Sequence, residues 1–139
     1  MLHRRVLLKK RKMRERELFE YAIIRLVPEV EREEFLNVGV VLYCRGQRVL
    51  DMRYVLDADR LRVFRSAIRI DELDEYLQAF RLICSGEQEG GPIAKLPLAE
   101  RFRWLTAKRS TVIQTSPVHP GLCEAAEQTL ERLFQELVM

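Results

Sequence analysis

The chain has little of what usually announces a chemistry. Its only histidines are His3 and His119, and its cysteines, Cys44, Cys84 and Cys123, are odd in number and far apart in sequence. No pair of cysteines has zinc-ligand spacing, so no metal site is expected, and the thiols are expected to be reduced, as in a cytoplasmic protein. No apolar run approaches the length of a membrane span, which argues against a membrane partner. Arg4-Arg5 is followed only by Val6-Leu7-Leu8 before Lys9, so the apolar core of a secretory signal is missing. There are no internal repeats, no low-complexity tract and no Gly-rich loop of the kind that cradles phosphates.

What is present is an ordinary globule with a charged lead-in. The 139 residues are 47% hydrophobic and 32% charged, which suits one domain whose core needs neither disulfide nor metal. The net charge of +3 conceals an asymmetry. Residues 1–16 hold eight cationic side chains against Glu15 alone, a net of +7, whereas residues 17–139 hold 16 against 20 acidic ones, a net of −4. The chain therefore divides into a basic N-terminal arm, 1–17, expected to be flexible, and a single domain, 18–139. An acidic body with a basic arm is not a basic nucleic-acid-binding fold. The arm alone is a candidate tether to nucleic acid or to an acidic partner.

The stretch from Glu33 to Cys44 organises the domain. It reads as a strand with both faces largely apolar, entered through Asn37 and carrying Gly39, and so as a central strand. Leu18–Val27, stopped by Pro28, precedes it, and Arg48–Val55 follows a short hairpin loop, Arg45-Gly46-Gln47, in which Gly46 supplies a positive φ. Asp57 is expected to cap a helix carrying Leu61, Phe64 and Ile68. Asp71 is expected to cap a longer one with the stripe Leu73, Tyr76, Leu77, Phe80, Ile83 and Cys84, ended by Gly86. Leu98–Leu105 reads as a short helix, Ser110–Thr115 as a fourth strand and Ser116–Gly121 as a rigid turn. From Leu122 onward the chain reads as an amphipathic helix. The expected fold is α+β: one antiparallel sheet of about four strands with the helices packed on one face.

Pairing Cys44 with Arg48, and Arg25 with Gly39, gathers Tyr21, Arg25, Asn37, Gly39, Tyr43, Asp51 and Arg53 on the sheet face away from those helices. Arg25 and Arg53 would then flank a glycine, a seat for a carboxylate or phosphate. The structural alternative pairs these arginines with Asp51, Glu34 or a helix carboxylate, and makes Asn37 a turn residue. A second cluster, Thr106 with Lys108-Arg109-Ser110-Thr111, sets cations beside hydroxyls, or is simply a solvated turn. His119 lies near Ser116 between two prolines, with no orienting carboxylate in view. Glu29, Glu31, Glu33 and Glu34 lack calcium-loop spacing. The candidate binding residues are thus Arg25, Asn37, Gly39, Arg53, Arg109, Ser110 and His119. No catalytic residue, metal or cofactor is assigned.

Tyr21-Ala-Ile-Ile-Arg25-Leu-Val-Pro28, followed by Glu34-Phe-Leu-Asn37-Val-Gly39-Val-Val-Leu, resembles the N-terminal signature of the bacterial "domain of unknown function 3037" family. Phe102-Arg-Trp104-Leu-Thr-Ala-Lys-Arg109-Ser110-Thr111-Val-Ile-Gln114, then Ser116-Pro117-Val-His119 and Leu130-Glu-Arg-Leu-Phe134, are similar to its C-terminal half. The likeness covers about residues 19 to 139 and leaves out the arm. Two departures, Glu124-Ala125 in place of Asp-Pro and Lys108 in place of Pro, leave Arg25, Asn37, Gly39 and Arg109 untouched. The resemblance brings no reaction or cofactor. It implies a small bacterial cytoplasmic protein of the kind encoded beside HipA-like serine/threonine kinases. Three readings follow: a non-enzymatic accessory module for a protein partner such as a HipA-like kinase, which we favour; a phosphate- or nucleotide-handling protein using the arginines and His119; and nucleic-acid association through the arm. A homodimer through an uncovered sheet face or edge is a further expectation.

Overall fold

A computed structural model describes residues 15–64 and 69–139. The basic arm lies outside the described residues up to position 14, as does Ile68. At the centre is β2 (Leu36–Cys44), buried without interruption from Val38 to Cys44. It pairs antiparallel with β1 (Glu17–Leu26) on one side and β3 (Val49–Tyr54) on the other. The far edge of β1 is shared. β4 (Ile113–Thr115) pairs with its C-terminal half, and β5 (His119–Cys123) pairs with its N-terminal half. Ser116 bridges the interval between them. Its N–H donates to Ile23 O at 2.8 Å, and its Oγ accepts from Ile23 N at 2.8 Å. The turn expected over Ser116–Gly121 is therefore half strand, and the last helix starts later than Leu122. Leu122 points out of β5, 62% exposed, while Cys123 points in.

The β2–β3 connection decides which side chains share a face. Cys44 pairs with Val49, not Arg48, so the turn has four residues, Arg45–Arg48, closed by Arg48 N donating to Arg45 O at 3.2 Å. The left-handed residue is Arg48, with φ 55°, and not Gly46. One extra residue in a hairpin turns the following strand over relative to the preceding one. Met52 and Leu50 consequently lie beside Val41 and Tyr43, and share a core with Ala22, Ile24 and Leu26. Val40, Leu42 and Cys44 face the opposite way with Phe19. A register irregularity between Ile24 and Arg25 places Gly39 opposite Ile24 and Asn37 opposite Arg25.

Both faces of the sheet are therefore apolar, and both are covered. After the single turn α1 (Ala58–Leu61), α2 (Ile70–Ser85) and α3 (Leu98–Leu105) pack on one face, through Leu73, Leu77, Phe80, Ile83, Phe102 and Leu105. α4 (Ala126–Leu137) packs on the other, through Ala126, Leu130, Leu133 and Phe134. The α+β class and the antiparallel sheet are as expected, whereas the helices divide between two faces. Asp57 caps α1 by accepting from Asp59 N at 2.9 Å. The cap of α2 is Arg69, and Asp71 and Glu72 instead occupy its first turn, where carboxylates favour the positive end of the helix dipole. Gly86, at φ 72°, ends α2, with Glu87 N donating back to Leu82 O at 3.1 Å. None of the helices among the described residues is long and apolar enough to cross a membrane.

Two predictions follow from these contacts. A left-handed non-glycine residue is strained, so Arg48→Gly is expected to raise stability by about 1 kcal/mol, read as a higher urea midpoint at unchanged slope. Tyr54 Oη donates to Asp74 Oδ1 at 2.8 Å and accepts from Gln78 Nε2 at 2.7 Å. Burial, and then Asp74, pushes its pKa up to about 12. The neutral phenol is the form the fold favours, so its contribution is complete below the ordinary value of 10 and is lost as pH rises to about 12. Tyr54→Phe should remove part of the alkaline loss of stability in that window, measured by urea unfolding at each pH.

Candidate functional site

α4 packs mainly over β2 and β3, which leaves the β1 strip of that face beside it only partly covered. Alternate residues of β1, Tyr21, Ile23 and Arg25, are half-buried there, spread over roughly 13 Å of strand. Tyr21 is opposite His119 in the ladder, and the two rings lie 5.4 Å apart. Arg25 is opposite Asn37 on β2 and Gln114 on β4. Its guanidinium lies 4.2 Å above the ring of Phe35, which is itself 49% exposed. Asn37 Nδ2 donates to Leu137 O at 3.1 Å, tying the end of α4 to the strip. Arg25 Nε and Asn37 Oδ1 are buried and have no hydrogen-bond partner in the protein. No carboxylate among the described residues lies within ion-pair distance of Arg25.

The remaining candidates are placed differently. Arg53 shares the face with Arg25 but is engaged by α4. Its Nη1 is 2.7 Å from Glu131 Oε2, and its guanidinium lies over Phe134 at 5.5 Å. This is the helix-carboxylate pairing. Gly39 does not open a gap between two arginines. It sits on the α2 face opposite Ile24 and Tyr54, where a Cβ would come within 2.6 Å of Arg53 O and 2.9 Å of Tyr54 Cβ. Arg109 belongs to the α2–α3 layer. Its Nη1 donates to Leu105 O at 2.8 Å and to Ala107 O at 3.3 Å, and its Nη2 donates to Trp104 O. It also stacks over Trp104 at 4.5 Å and Phe80 at 5.3 Å. Burial holds its pKa below the ordinary arginine value. Arg109 thus closes the C-terminal end of α3, and Ser110 is exposed beside it. Arg25, Asn37 and His119 come together along one strip. Arg53 is neutralised at its margin, and Gly39, Arg109 and Ser110 lie on the other side of the sheet.

Phe35 was not singled out from the sequence, because it falls within the Glu33–Cys44 stretch, where an aromatic residue reads as part of an apolar strand. An aromatic residue between charged neighbours and a strand was the available signal. The thiols of Cys44 and Cys123, distant in sequence, meet beneath α4, and burial, then Cys44, pushes the Cys123 thiol up. No group of three metal-ligating side chains occurs among the described residues.

Because backbone, not a flexible side chain, blocks the space at Gly39, Gly39→Ala is expected to destabilise the fold by about 1–3 kcal/mol. Arg25→Gln should leave the urea midpoint nearly unchanged. A ligand-seat glycine would show the reverse pattern.

Comparison with known proteins agrees with the resemblance in the motifs. No curated protein and no solved structure matches the chain. A family model described as a protein of unknown function, DUF3037, matches residues 21–138. That span contains the whole β1–α4 framework apart from the first residues of β1. The chain belongs to the DUF3037 family.

Proposed function

We propose that the protein is a non-enzymatic interaction module that docks on a protein partner through the β1 strip, a carboxylate of the partner seating on Arg25. The observation that carries this reading is the contrast between two arginines on one sheet face. Arg53 has Glu131, whereas Arg25 lies on a half-exposed phenylalanine with no carboxylate beside it. Arginine and aromatic side chains in a partly desolvated setting are the composition of interface hot spots. Phe35 lies under Arg25, and Tyr21 and His119 add a second aromatic pair farther along the same strip. A cation already stacked on an aromatic ring has lost part of its freedom before binding, which favours a carboxylate partner. The family resemblance suggests a HipA-like kinase as the partner, and unpaired thiols suit the cytoplasm.

The test is recovery of partners by the tagged full-length protein from its native host. Wild-type protein and Arg53→Gln should recover the same protein partner, and Arg25→Gln and Phe35→Ser should lose most of it. Equal recovery by all four, or recovery of nucleic acid alone that disappears when residues 1–16 are deleted, overturns the reading. A second copy of this chain as the sole partner, seen by sedimentation, would make the strip a homodimer interface instead.

A further inference from the structure

On the other side of the sheet, where β1 begins, an open groove of about 1120 Å³ runs between the β2–β3 turn and the first turn of α3. It is somewhat larger than the cleft of about 300–1,000 Å³ that typically holds a small molecule. Arg45 and Arg48 enter it from the turn, and Arg103 enters from α3. None of the three has an ion pair among the described residues. Leu98 and the edge of the largely buried Tyr43 give the groove an apolar side, and Glu17 and Glu20 stand on the β1 side.

The turn that carries two of these arginines is held rigidly. Gln47 Nε2 donates to Glu124 O at 2.7 Å, and Gln47 Oε1 accepts from Ala126 N at 2.8 Å, so the turn is clamped to the start of α4. Gly46 packs directly under the Glu17 carboxylate, which would have to swing aside for a Cβ. Arg48 keeps its left-handed backbone although glycine would adopt it without strain. A fixed turn backbone narrows the positions its two exposed guanidinium groups can reach, and their planar forks match phosphate oxygens. The positive end of the α3 dipole adds to the same field. Two glutamates in the groove argue against a simple polyanion. Carboxylates beside a phosphate seat are acceptors for hydroxyl groups, as in the recognition of a ribose.

We propose that this groove binds a nucleoside phosphate: the phosphates on Arg45, Arg48 and Arg103, the sugar hydroxyls toward Glu17 and Glu20, and the base against Tyr43 and Leu98. The site is separate from the β1 strip, so the two proposals stand or fall independently.

The experiment is calorimetric titration of the full-length protein with adenosine, guanosine, cytidine and uridine diphosphates, and with adenosine and inorganic phosphate as controls. At least one diphosphate should bind, and adenosine and phosphate should each bind roughly tenfold or more weakly. Arg103→Gln and Arg48→Gly should weaken that diphosphate by roughly tenfold each. Arg48→Gly is informative because it should be more stable than the parent, so lost binding is not lost folding. Arg25→Gln should bind as the parent does. No binding by any diphosphate overturns the proposal, as does binding that Arg48→Gly and Arg103→Gln leave intact. Affinity confined to oligonucleotides and abolished by deleting residues 1–16 overturns it in favour of the arm.

Discussion

The fold depends on one backbone choice: four residues, not three, between β2 and β3, closed by Arg48 in a left-handed conformation. That count sets the register of the central hairpin, and register decides the destination of every side chain on β3. β2 is apolar on both faces by its own sequence, so the sheet needs cover on both. The amphipathic C-terminal helix supplies the second cover. α4 then reaches Arg53 and Asn37 from above and leaves Arg25 beside its edge. The chemistry available on the α4 face is what the helix does not neutralise.

The sheet edges are guarded, which directs recognition to its faces. On the open side of β3, the N–H of Met52 is taken by the Asp51 carboxylate at 2.8 Å, so an incoming strand would find that donor occupied. On the other side, β4 and β5 are short, and Pro117 and Pro120 offer no N–H. A dimer formed by continuing the sheet is disfavoured on both sides. The β1 strip and the arginine groove use opposite faces and opposite ends of β1 and β2, yet both adjoin α4: one at its end through Asn37, the other at its start through Gln47.

Much of the element order was legible because it rests on local physics. Asp57 bonding its own helix, Gly86 in a left-handed cap and the apolar stripe of α2 need only neighbours in sequence. What was not legible depends on long-range pairing. A Gly in a short loop invites the assumption that it carries the positive φ, and Arg48 carries it instead. Together with the irregularity between Ile24 and Arg25, this turns over the inferred faces of β2. Val40 and Leu42 thus lie under α4 and Gly39 lies on the α2 face, while Arg53 keeps the inferred face. β5 was hidden because His119-Pro120-Gly121 has turn composition, and only the ladder to β1 makes it a strand. Of the site, Arg25 and Asn37 share a face as inferred, although α4 covers part of it, and His119 joins them only through the β5 ladder. Arg109 looked like an anion-binding cation beside hydroxyls, but its donors are spent on carbonyls at the end of α3, a geometry that residue type alone does not disclose.

The shared far edge of β1 also bears on how the chain reaches this state. β1 pairs with β2 soon after both exist, but its other partners arrive only with residues 113–123. Ser116, whose hydroxyl completes the ladder at Ile23, is 93 positions away in sequence. Closing so long a loop is entropically expensive and makes such contacts late. During synthesis, the outer donors and acceptors of β1 stay open while the intervening helices are being made. In that interval the nascent chain exposes an apolar strand edge that the finished molecule does not have, and this is the stage at which association with a chaperone, or with another nascent copy, would compete with folding.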